Sequence, residues 1–148
     1  MIRISELNNA AQLRDWFRNC PAISRSNRFR VDYVAETPTE YAIYAVPSTL
    51  RYHENILGEE VPDDIQTVNY IFASKEHYGA DVQQNLQNLL FYQEVTSWII
   101  TQNAARNFPQ WDDGRITSIV PTLTGYPVQV GSDAARYQIQ LKITYRRV

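Results

Sequence analysis

Across 148 residues the chain carries one cysteine, two histidines and five glycines, and its only lysines are Lys75 and Lys142. A single Cys20 excludes an intramolecular disulfide, and Cys20 with His53 and His77 is too small a set for a Cys/His zinc site within one chain. No glycines are spaced to form the dinucleotide or P-loop phosphate cradles, so nucleotide chemistry drops out. A formal net charge of −2 argues against a protein that coats nucleic acid, because such binding draws its affinity from neutralising many phosphates. No apolar run approaches the roughly 20 residues that cross a bilayer, and the N-terminus has no leader pattern, so a soluble, unprocessed chain is expected.

What remains is ordinary globular composition, 44% hydrophobic and 12% aromatic, in a length that suits one domain over residues 1–148. Leu13, Trp16, Phe17 and Cys20 share a helical face in a segment capped by Ser5 and ended by Pro21. Alternation predicts strands at 28–34 and 41–46, expected to form a hairpin, and at 65–74, where apolar residues on both faces point to a central strand. Residues 48–64 read as an extended arm or long hairpin. Asp81 and Gln84 fit a capping box for a second helix with an apolar stripe of Leu86, Leu89, Leu90, Val95, Trp98 and Ile99. A strand at 115–123, in which Pro121 marks an edge or a strand end, precedes the clearest alternation of all, Tyr137, Ile139, Leu141, Ile143 and Tyr145. The sum is an α+β domain, a mostly antiparallel sheet packed by two main helices.

Catalytic patterns are weak. His77 and Asp81 have the H-x-x-x-D spacing of acyltransferases resembling chloramphenicol acetyltransferase, but Val82 stands where the characteristic glycine belongs, and Asp81 serves better as a helix cap. His77 then reads as a loop residue. Cys20 reads as buried and inert, no nucleophile elbow is present, and the pairs Asp63-Asp64 and Asp112-Asp113 read as hydrated loop acids. No catalytic residue, cofactor or metal is expected.

The stretch Tyr78-Gly79-Ala80-Asp81-Val82-Gln83-Gln84-Asn85-Leu86, continuing through Phe91-Tyr92 and Trp98 to Gln102-Asn103, resembles the helix-opening segment of small minor capsid or tail proteins of tailed bacteriophages and prophages. Ala135-Arg136-Tyr137-Gln138-Ile139-Gln140-Leu141 is similar to their final strand, and the helix ending at Cys20-Pro21 is similar too. The likeness covers most of the chain outside 48–64. It implies a tail terminator, a virion protein assembled in the host cytoplasm as a ring, expected to be a hexamer, at the head-proximal end of a siphophage tail tube. Its partners would be further copies of itself, the tail tube protein and head–tail connector proteins, with DNA passing through the lumen and no membrane involved. Another connector, a head-completion protein or a monomeric binding module are the alternatives.

Charge is unevenly placed. Glu54, Glu59, Glu60, Asp63 and Asp64 make the 48–64 segment acidic, whereas Arg136, Lys142, Arg146 and Arg147 make the C-terminal end basic. Two solvated patches are the plainer explanation. In a head-to-tail ring, which needs two different complementary surfaces per subunit, the acids would meet a neighbour's arginines or face the lumen and repel passing DNA.

Overall fold

Alternation makes β7 (Ala134–Arg147) the organising strand, with Tyr137, Ile139, Leu141, Ile143 and Tyr145 all buried on one face. The computed structural model describes residues 4–23, 29–31, 40–77, 82–130 and 134–147. Beside β7 lie β5 (Ile65–His77) and β6 (Gly114–Val130), both antiparallel to it, and β2 (Glu40–Val46) pairs antiparallel with β5. With β1 (Phe29–Val31) at the far edge, the sheet order is β1-β2-β5-β7-β6. The central place of β5 and the edge place of β6 agree with the sequence reading, and β6 tolerates Pro121 and Pro127 through register shifts along its pairing with β7. β6 also runs on to Val130, well past the expected end at residue 123.

Helices α1 (Ile4–Phe17) and α2 (Val82–Ala105) cover one face of the sheet, giving the α+β fold. The core between them is aromatic. Phe17 stacks on Phe72 with ring centroids 4.9 Å apart, Trp16 meets Trp98 at 4.6 Å, and Tyr92 stacks on Tyr137 at 5.5 Å. Each such pair adds about 0.5–1.5 kcal/mol beyond the area it buries. α1 is further tied down by Asn9, buried, whose Nδ2 donates to Asp113 (3.0 Å) and whose Oδ1 accepts from the Asp112 backbone (2.8 Å), while Gln12 donates to Asp112 (3.0 Å). Asp112 and Asp113 are therefore a clasp on the helix, and the reading of them as hydrated loop acids is corrected.

Several expectations need correction. β1 and β2 are parallel, Phe29 beside Tyr41 and Val31 beside Ile43, so they do not form a hairpin. Alternation assigns side chains to faces and is silent on strand direction. Ser5 lies within α1 rather than capping it, and His77 closes β5, paired with Ala134, rather than standing in a loop. The capping residue Asp81 lies outside the described residues. Of the predicted α2 stripe, Val95 and Ile99 are buried and Trp98 is packed against the core, but Leu86, Leu89 and Leu90 are exposed. The apolar residues span more of the helix circumference than one sheet face can cover, and the arc through Asn88, Tyr92, Val95 and Ile99 is the one buried.

Candidate functional site

Residues 48–64 carry a hairpin of their own, β3 (Tyr52–Glu54) with β4 (Glu60–Pro62), forming a two-stranded sheet separate from the main one. Its turn is locally determined. The Gly58 backbone donates to the Asn55 carbonyl (3.0 Å), the Asn55 side-chain oxygen accepts from the Leu57 and Glu59 backbones (2.9 and 3.0 Å), and Gly58 takes the left-handed φ of +78° that closes such a loop. Asn55 and Gly58 thus supply all the turn requires. Nothing in its chemistry calls for the two residues between them, yet these are Ile56 and Leu57, 100% and 77% exposed.

The hairpin is fastened at its base by one side chain. Gln66, buried in β5, accepts from the Arg51 backbone N–H (2.9 Å) and donates to the carbonyls of Arg51 (2.8 Å) and Asp63 (3.0 Å), so a single amide grips both legs. The Asp63 backbone N–H closes the base on the Arg51 carbonyl (2.9 Å), and the Asp63 carboxylate meets His53 Nδ1 at 2.7 Å.

The acids sit as the sequence placed them, on or beside this hairpin, with Glu54, Glu59, Glu60 and Asp64 exposed and Asp63 half-buried. The basic residues do not form one patch. Arg136 lies about 33 Å along β7 from Arg146, at 3.3 Å per residue, with its guanidinium 4.7 Å above the Tyr44 ring. Lys142 is exposed midway. Arg147 is beside the hairpin base, its backbone N–H donating to the Asp64 carbonyl (2.7 Å) and Nη1 reaching the Pro62 carbonyl (3.5 Å). Because Ile65 pairs with Arg146, the acidic segment and the basic strand end are neighbours at one end of the sheet, not opposed surfaces.

At this end the structure also contains a feature the sequence did not disclose. The connection from α2 to β6 and the start of β6 enclose an open groove of about 830 Å³, lined by Arg106, Phe108, Trp111, Arg115, Ile116 and Arg146. No described residue forms an ion pair with any of the three guanidiniums. Arg106 is held at a φ of +56°, in the position just past the helix where its N–H bonds the Asn103 carbonyl and the Asn107 N–H bonds the Gln102 carbonyl. Glycine is the usual occupant of that position, and an L side chain there costs roughly 1–2 kcal/mol. Gln12, also on the groove, has a buried Oε1 with no donor. The signal that points to Arg106 is backbone geometry, which no spacing rule encodes.

Elsewhere the polar chemistry is interior. The Tyr92 hydroxyl lies 3.1 Å from the Tyr137 carbonyl, to which it donates, and 2.5 Å from Ser74 Oγ. Burial holds the Tyr92 hydroxyl well above its ordinary value and pushes the nearby Glu76 carboxyl up to about 7. Burial also pushes the Cys20 thiol up, favouring the neutral form. Among the described residues no group of three or more His, Cys, Asp or Glu is placed to hold a metal, and no helix is long and apolar enough to cross a membrane. No protein-family model matches the chain, and no curated protein matches it at a significant level.

Proposed function

We propose that this chain is a structural virion subunit, a tail terminator that assembles as a hexameric ring at the head-proximal end of a phage tail tube, stops its growth and joins tail to head. The observation that carries this reading is the hairpin tip. Ile56 and Leu57 protrude on a stem that adds nothing to the core, in a turn that does not need them. Covering both against a partner is worth about 3–6 kcal/mol, and a repeated head-to-tail contact gives each protrusion a place on the next subunit. The resemblance of 78–103 and 135–141 to phage tail proteins supports the same assignment. Neighbouring copies, tail-tube subunits and connector proteins are the partners, and a net charge of −2 suits a lumen that DNA passes without specific binding.

Native mass spectrometry and class averages of stained particles test the proposal, with and without tail-tube ends. Closed rings are expected from the natural chain, and monomers from the double substitution Ile56→Ser and Leu57→Ser. A natural chain that stays monomeric at every concentration, and on tube ends, overturns it.

A further inference from the structure

We propose that the groove lined by Arg106, Arg115 and Arg146 is the receptor for the β3–β4 hairpin of a second copy of this chain. The inference rests on the assembly reading for its partner and adds the surface that the hairpin enters. The two halves are complementary in charge. The hairpin offers an apolar tip flanked by Glu54, Glu59 and Glu60, all exposed and without an ion pair to any described residue. The groove is lined by Phe108 and Ile116, by Arg106, Arg115 and Arg146, none of which has an ion pair among the described residues, and by Asp112, whose carboxylate is engaged by Gln12. Arginine suits this task because its planar fork binds a carboxylate through two hydrogen bonds.

One further observation favours a built receptor over an incidental crease. Arg106 keeps its side chain at the groove in a left-handed backbone position that glycine would occupy without strain. At about 830 Å³ the groove falls within the roughly 300–1,000 Å³ of sites that enclose small ligands, enough for a two-residue tip. The occupant comes from another copy, since this chain's own tip is left in water.

Cysteine pairing reads the contact directly, because the natural Cys20 is buried and does not compete. Full-length chains carrying Leu57→Cys are mixed with chains carrying Thr117→Cys, at the groove, or Leu90→Cys, on the outer face of α2, and mildly oxidised. Cross-linked pairs are expected with Thr117→Cys alone. A charge swap supplies the second arm: Glu59→Arg with Glu60→Arg, or Arg115→Glu with Arg146→Glu, is expected to weaken self-association about tenfold, and the four changes together to restore most of it.

Rings that form without the 57–117 cross-link, or that link through Leu90→Cys, overturn the inference and leave the ring reading standing. Cross-linked pairs that close as two-fold dimers support the inference and overturn the ring. Retention of a DNA oligonucleotide that Arg115→Glu with Arg146→Glu abolishes, with no hairpin cross-link, assigns the groove to nucleic acid and overturns the inference. A chain that never self-associates overturns both.

Discussion

Replacing Gln66 by leucine removes the amide that joins the hairpin to the sheet while keeping a side chain of similar size in a buried position. Three hydrogen bonds disappear, to the Arg51 N–H, the Arg51 carbonyl and the Asp63 carbonyl. The Arg51 carbonyl keeps its bond from the Asp63 N–H, so two backbone groups lose a partner, and water reaches them in part because Arg51 is exposed. At about 1 kcal/mol per net bond, with this partial rehydration, hairpin closure weakens by about 2–3 kcal/mol. In hydrogen exchange the ladder amides of 52–54, 60 and 61 then lose about 30- to 140-fold of their protection, a factor of ten for each 1.4 kcal/mol. In thermal unfolding the same loss lowers Tm by about 5–10 °C. Wild-type exchange at 52–62 together with a lowered Tm would refute the reasoning, since it would place the cost of losing Gln66 in the core rather than at the stem.

Glu76 gives a pH signature. Its folded value of about 7 lies above its ordinary 4.5, so the native state binds the proton more tightly. Its contribution to stability is therefore full below pH 4.5, falls by about 3 kcal/mol as pH rises to 7, and is flat above. Urea unfolding from pH 4 to 8 checks this, and a Glu76→Gln chain that keeps the natural slope in that window contradicts it. Gly114→Ala places a Cβ 2.1 Å from the Arg146 carbonyl oxygen, so the first β6–β7 pair must separate; a loss of about 2–3 kcal/mol is expected by denaturant unfolding. Asn9→Ala strips two of the three bonds between α1 and the turn at Asp112-Asp113 and is expected to cost about 1–3 kcal/mol; calorimetry showing no change would mean the clasp is not a stabilising contact.

Legibility in the sequence tracks the range of the interactions involved. Strand β7 and the aromatic face of α1 were readable because each is written in the spacing of its own segment, and Pro121 narrowed its strand to an edge or an end because a missing N–H is a local property. The direction of β1 beside β2 was not readable, since pleating fixes only which way side chains point. The outward turn of Leu86, Leu89 and Leu90 depends on how much of α2 the sheet can cover, a property of two elements rather than one. Of the candidate site, the acids and their hairpin were visible in composition. Gln66, which grips residues 15 and 3 positions away, is one glutamine among many until the fold brings them together. Arg106 and Arg115 escaped notice because the groove they share with Arg146 is assembled from separate parts of the chain.

The single-amide stem has a consequence for how this surface changes. With β3 fully exposed and the tip in water, residues 52–62 are coupled to the interior almost only through Gln66 and the contacts of Arg147. Under the proposed tip-in-groove contact, choice of neighbour and stability of the fold are written in different letters of the chain. A tip grafted from another such chain would then redirect association without repacking a single aromatic ring, and lineages could diverge in partner while the sheet and its helices stay as they are.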